Sequence, residues 1–280
     1  MSDTTDTLAR SASNEDQQHS AHGHFIWYEL MSTDPAGAKA FYDAVVGWSI
    51  GEPVAEFNGY RMIGRADGGN AGGVLPLTAE MQQHGARPMW LGYLGVTDTD
   101  EAVAAIEQSG GKALMPAFDI PGVGRVAMVT DPQGVPFYVM KPTPPEGAQA
   151  KVSDVFSVDQ PQHVRWNELS TTDPDAAIAF YSQHFGWSQQ GDMDMGELGK
   201  YRFIQDRGTN IGAVMTKPPQ LPVSLWTYYI GVDDISRAAE AIKSGGGQIL
   251  NGPMEIPGGE FSLNALDPQG ASFGLVGPRK

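Results

Sequence analysis

Two tetrapeptides place a carboxylate two residues after an indole: Trp27-Tyr28-Glu29-Leu30 and Trp166-Asn167-Glu168-Leu169. Residues i and i+2 of an extended strand share a face, so Glu29 looks into the same space as Trp27, and Glu168 into the same space as Trp166. A glutamate drawn partly out of water has a raised pKa, which suits a general base working near neutral pH. Tyr93 stands two residues beyond Leu91, and Tyr229 two beyond Thr227, so phenols are available at the same strand spacing. A lining of Trp and Tyr offers wide flat contact while the phenol fixes orientation, and this suits planar or apolar small molecules. A competing account needs no ligand. Arg61 and Arg202 each follow a tyrosine in a repeated Tyr-Arg pair, and an ion pair of Glu29 with Arg61, and of Glu168 with Arg202, would be scaffolding.

Other chemistries are excluded by composition. The 280 residues contain no cysteine, which removes disulfide frameworks, thiolate metal sites and cysteine nucleophiles. A formal net charge of −15 repels phosphate backbones, so no nucleic-acid partner is expected. No stretch reaches the ~18–20 apolar residues of a membrane span, and the polar Met1–Ser20 segment lacks the apolar centre of a signal peptide, so a cytoplasmic address is expected. His24 and His163 read as polar residues at the solvated starts of strands. The Gly-rich turns near Ile120-Pro121-Gly122 and Ile256-Pro257-Gly258 precede no helix, so they read as hairpins and not as phosphate loops.

The elements that carry these residues occur twice. Ser32-Thr33-Asp34-Pro35 returns as Thr171-Thr172-Asp173-Pro174, Phe41-Tyr42 as Phe180-Tyr181, and Gly47-Trp48 as Gly186-Trp187, all 139 residues apart. Trp90 returns as Trp226, and Asp131-Pro132-Gln133-Gly134 as Asp267-Pro268-Gln269-Gly270, 136 residues apart. Such a period marks a duplicated domain. Each copy reads as strand, helix and three short strands, run through two times. Asp34 caps a helix that begins at Pro35, buries Ala38, Phe41, Tyr42, Val45 and Val46 on one face, and stops at Gly47. Strands are expected near 48–54, 60–65 and 72–76, and a second helix follows Asp98. The expected division is a disordered lead over 1–23, domain 1 over 24–142, a linker over 143–162 and domain 2 over 163–280.

These motifs (a strand, Asp-Pro, a helix with Phe-Tyr, Gly-Trp and a closing Asp-Pro-x-Gly strand) resemble the vicinal oxygen chelate superfamily of glyoxalases, extradiol dioxygenases and bleomycin resistance proteins. The Trp-x-Glu-Leu variant is similar to its tandem glyoxalase-like members. The resemblance implies an α+β fold of two tandem domains, each with paired βαβββ modules forming a cup-shaped mixed sheet whose floor usually binds one divalent metal. It places the metal ligands seven residues before the helix-capping aspartates and seven after the Asp of Asp-Pro-x-Gly. Those positions hold Trp27, Leu91 and Tyr138 in copy one, and Trp166, Thr227 and Gly274 in copy two. None is an imidazole or a carboxylate, so no metal ligand and no cofactor are expected.

The expected function is binding of a small aromatic or apolar molecule in aromatic-lined cups without the family metal. Trp27, Leu91, Tyr93, Tyr138, Trp166, Thr227 and Tyr229 would line the cups, and Glu29 or Glu168 would act as base if protons are moved. Two alternatives stand beside it: a metal-dependent glyoxalase, lyase or dioxygenase, and an interaction scaffold with filled cups. The chain would work as a monomer or homodimer, with a small molecule as its partner.

Overall fold

A computed structural model describes residues 21–143 and 153–280 of the chain. Residues 1–20 of the lead expected over 1–23, and 144–152 of the linker expected over 143–162, lie outside the described residues. The first half runs β1 (Phe25–Ser32), α1 (Pro35–Val46), β2 (Ser49–Ile50), β3 (Arg61–Gly64), β4 (Asn70–Pro76), α2 (Ala79–Gln83), β5 (Met89–Gly95), α3 (Thr99–Gln108), β6 (Lys112–Ile120), β7 (Gly124–Thr130) and β8 (Pro136–Pro142). The second half repeats it as β9 (Val164–Thr171), α4 (Pro174–Phe185), β10 (Ser188–Asp194), β11 (Lys200–Asp206), β12 (Thr209–Thr216), β13 (Leu225–Gly231), α5 (Ile235–Ser244), β14 (Gln248–Glu255), β15 (Phe261–Leu266) and β16 (Ser272–Gly277). Each half forms one eight-stranded sheet, in the orders β2-β3-β4-β1-β5-β8-β7-β6 and β10-β11-β12-β9-β13-β16-β15-β14. The fold is α+β with two tandem cupped halves. Among the described residues no helix is long and apolar enough to cross a membrane.

The helix signals hold. Asp34 and Asp173 cap α1 and α4 by accepting from the backbone N–H three residues on, each helix opens on a proline, and Gly47 and Gly186 close them at φ of 83° and 72°. The strand expected over 48–54 shortens to Ser49–Ile50. Helix α2, capped by Thr78, has no equivalent in the second half, where residues 217–224 form turns and loop. A five-residue helix is too short to leave a periodic signal.

Strand alternation sends one face of each sheet into its cup and the other into a core shared by both halves. Tyr28, Leu30, Trp90 and Leu94 join Phe180, Tyr181, Trp226 and Tyr228 in that core. The repeated motifs meet across the boundary. The Trp90 indole donates to the Tyr42 hydroxyl, which donates to Asp267 of the other half at 3.2 Å. Trp226, Tyr181 and Asp131 mirror this, with the last bond at 3.3 Å. The Trp48 indole donates to the Gln162 carbonyl and the Trp187 indole to the Gly23 carbonyl, at 2.9 and 2.7 Å. Tyr28 donates to Asn167, its own repeat equivalent, at 2.8 Å, and the Gly92 N–H donates to Tyr228, its equivalent, at 2.7 Å. Phe-Tyr, Gly-Trp and Asp-Pro-Gln-Gly are therefore the duplicated interface.

The histidines take part in the same junction, which corrects their reading as solvated strand starts. His163 is buried and its ring pairs with the Pro161 carbonyl, while His24 pairs with the buried Asp206 of the other half. A polar ring at a strand start finds partners here because each half's hairpin turn closes over the first strand of the other.

Candidate functional site

In the first cup, Glu29 lies on β1 opposite Leu91 of the antiparallel β5, and Trp27 lies opposite Tyr93. Parallel pairing then sets Tyr93 beside Tyr138 of β8, and their rings stack with centroids 4.2 Å apart. Glu29 is 3% exposed, and its Oε2 accepts from the Tyr93 hydroxyl at 2.8 Å. Its Oε1 is enclosed without a well-formed hydrogen bond. Burial pushes the Glu29 pKa up to about 7, against the pull of the Tyr93, Tyr138 and Tyr60 phenols toward the charged form. The Trp27 indole donates to the Tyr60 hydroxyl at 2.8 Å, which turns that phenol into the cup. The rest of the cup is apolar: Met31, Leu91, Val126 and Met140 are buried, with Met115 and Met128 packed against them.

The second cup carries the same frame. Glu168 lies opposite Thr227, and Trp166 opposite Tyr229. The Trp166 indole donates to Tyr201 at 2.7 Å, and Tyr201 donates to Glu168 Oε2 at 2.8 Å. The Tyr229 hydroxyl accepts from Asn264 at 2.9 Å and reaches the same oxygen at 3.3 Å. Burial raises the Glu168 pKa, and the Tyr201 and Tyr229 hydrogen bonds oppose the rise. Glu168 and Trp166 are only half-buried.

All nine residues singled out from sequence thus face the cups, while Gly274, the counterpart of Tyr138, is buried beneath the Tyr229 ring. The expected ion pairs are overturned. Arg61 pairs in register with Val74, on the far face of the sheet, where it bonds the Gly51 carbonyl at 2.9 Å and approaches Glu52 at 3.8 Å. Arg202 faces Val214 and pairs with Asp175. The preceding residue of each Tyr-Arg pair enters the cup, so Tyr60 and Tyr201 take the place given to the arginines. The repeat pointed to the dipeptide, and only strand parity selects its first member. Trp90 and Trp226 belong to the shared core, not the cups.

The donor set does not fit the family metal. Zinc, manganese and iron sites gather imidazole or carboxylate donors on one point. Among the described residues each cup has one carboxylate, held by phenols, and the three customary positions offer an indole, an aliphatic or hydroxyl side chain, and a phenol or nothing. A Cβ built at Gly274 would stand 2.4 Å from the Tyr229 ring, so the ring lies where a ligand from that position would extend. Among the described residues, no three His, Asp or Glu side chains form a group able to hold a metal ion.

Comparison with known proteins agrees with this architecture. A family model described as the Glyoxalase/Bleomycin resistance protein/Dioxygenase superfamily matches residues 19–139 and 160–275. CFP32 of Mycobacterium bovis, provisionally named a glyoxylase, is 32% identical over 255 residues, which cover 90% of this chain and 94% of that protein. The anthracycline biosynthesis protein DauV of Streptomyces sp. strain C5 is 29% identical over 273 residues, covering 91% and 94%. Among solved structures, the Mn(II)-bound glyoxalase of Novosphingobium aromaticivorans superposes with a TM-score of 0.60 at 16% identity, covering 92% of this chain and 83% of that one. Homoprotocatechuate 2,3-dioxygenase of Brevibacterium fuscum gives 0.61 at 17% identity, covering 91% and 80%. At such identities the structural likeness speaks to the fold alone. With both halves matched, the chain belongs to the glyoxalase, bleomycin resistance protein and dioxygenase superfamily.

Proposed function

We propose that this protein binds a small, flat organic molecule in a cup of the superfamily fold without the family metal. The observation that carries this reading is how each cup uses its single carboxylate. Glu29 and Glu168 are caged by phenols on the cup face, with an indole beside them, where relatives that use a metal need convergent donors. A carboxyl of raised pKa next to phenols can donate to or accept from a ligand oxygen, and the indole supplies contact area. The relatives named for anthracycline biosynthesis are in keeping with a ring-shaped ligand.

A second reading is metal-free proton transfer to or from the bound molecule. Burial raises the Glu168 pKa, the direction in which a carboxylate becomes a better general base. Metal analysis of protein purified without chelator, followed by calorimetric titration with Mn²⁺, Zn²⁺, Ni²⁺ and Fe²⁺, tests the proposal. The expected result is substoichiometric metal and no saturable binding in the cups. One tightly held ion per cup, lost on Glu29→Gln or Glu168→Gln, would overturn it.

A further inference from the structure

We infer that the C-terminal cup alone is the ligand site, and that it takes a neutral flat ring bearing both a carbonyl and a hydroxyl. This deepens the small-molecule reading above and rests on it. The two cups have the same backbone frame and share the Trp, Glu and two Tyr positions, but differ along the rest of the lining. One row of cross-strand neighbours in the first cup reads Trp27, Tyr93, Tyr138, Met128, Met115. The same row in the second reads Trp166, Tyr229, Gly274, Asn264, Asn251. One phenol and two thioethers are thus replaced by a glycine under the Tyr229 ring and two amides. The neighbouring positions change in the same sense: Met31, Leu91 and Val126 correspond to Ser170, Thr227 and Ser262.

These side chains make the lining of the first cup apolar. Its lining forms an apolar cluster of its own, onto which Met81 of α2, Leu77 and Ala86 pack as a cover. The second cup has no helix at that point, and its Glu168 is partly exposed where Glu29 is buried; Trp166, Tyr201 and Asn264 are partly exposed, as are Trp27, Tyr60 and Met128 in the first cup. Among the described residues, the hydroxyls of Ser170, Thr227 and Ser262 make no hydrogen bond within the protein; Ser170 and Thr227 are buried and Ser262 is partly exposed. Asn264 spends its N–H on Tyr229 and leaves its carbonyl oxygen available.

Polar groups on an apolar wall fix the ligand's chemistry. Trp166 and Phe203 meet edge to face with centroids 6.1 Å apart and give the wall on which a ring can lie. Glu168 Oε2 is taken by phenol donors, whereas Oε1 has only a 3.4 Å contact. When protonated, the carboxyl can donate to a ligand carbonyl. The Asn264 carbonyl and the three hydroxyls can accept from a ligand hydroxyl. The net charge of −15 disfavours an anion.

The test uses the full chain with 7-hydroxycoumarin as probe, followed by its fluorescence anisotropy below the pH at which the probe ionises. Coumarin, lacking the hydroxyl, and naphthalene, lacking both oxygens, are compared with it. Affinity should fall in the order 7-hydroxycoumarin, coumarin, naphthalene. Combining Thr227→Leu with Asn264→Met, which copies the first cup into the second, should weaken binding at least tenfold, while Met128→Asn in the first cup leaves it unchanged. Ser262→Val serves if the double variant does not fold. Binding that survives the second-cup variants, or is lost with Met128→Asn, overturns the choice of cup. Naphthalene binding as tightly as 7-hydroxycoumarin overturns the ligand class. If the wild type binds none of the three, the small-molecule reading itself falls.

Discussion

Replacing Glu29 with glutamine tests the electrostatics of the first cup, because the phenol cage and an ion pair predict opposite signs. The buried carboxyl titrates at about 7 in the folded protein against 4.5 for a glutamate in water. A raised carboxylate pKa means that the unfolded chain releases its proton first, so the folded state loses stability as pH rises from 4.5 through 7. The full loss is about 3.4 kcal/mol, of which about 2.5 kcal/mol falls between pH 5 and 8. Glu29→Gln keeps the shape of the protonated acid and cannot ionise. Its stability relative to wild type should therefore climb by about 2.5 kcal/mol over that range, or about 4 °C in Tm for a chain of this length. Urea unfolding of both proteins at half-unit pH steps measures the difference, and the other carboxylates cancel in the comparison. Had Glu29 been paired with an arginine, the variant would lose about 3–5 kcal/mol at pH 8. Parallel pH profiles, or a variant that falls behind wild type as pH rises, would refute the reasoning.

Tyr93→Phe removes the 2.8 Å phenol bond that favours the charged carboxylate, so the Glu29 midpoint should move above 7; a ¹³C NMR titration that finds it lower contradicts the cage. Gly92→Ala would set a Cβ 2.7 Å from the Phe25 ring and 2.8 Å from the Tyr228 hydroxyl, and the crowding at the junction should cost about 1–3 kcal/mol in urea unfolding. Tyr42→Phe and Asp267→Asn, combined in a double-mutant cycle, should show a coupling of about 1 kcal/mol across the two halves, and additive effects would mean that the bond contributes nothing.

The sequence by itself determined the duplication, the helix caps, the α+β order of elements and the family. These rest on spacing along the chain: the aspartate that caps a helix is adjacent to it, and one helical face repeats within a few residues. It also placed Glu29 and Glu168 beside their tryptophans, since i and i+2 share a face on any strand. The tertiary structure alone decided what meets those carboxylates. Tyr60 and not Arg61 enters the cup because Arg61 pairs with the core-facing Val74; β3 is short and follows a turn, so this parity cannot be counted from a distant strand. The same structure sent Trp27 and Trp166 to the cups and Trp90 and Trp226 to the shared core, although all four are indoles in repeated motifs. It alone gathered methionines from separate strands in the first cup and Thr227 and Asn264 at the matching places in the second. Periodicity belongs to one strand, whereas a site is a row across several, and that row exists only once pairing has fixed which residues stand side by side.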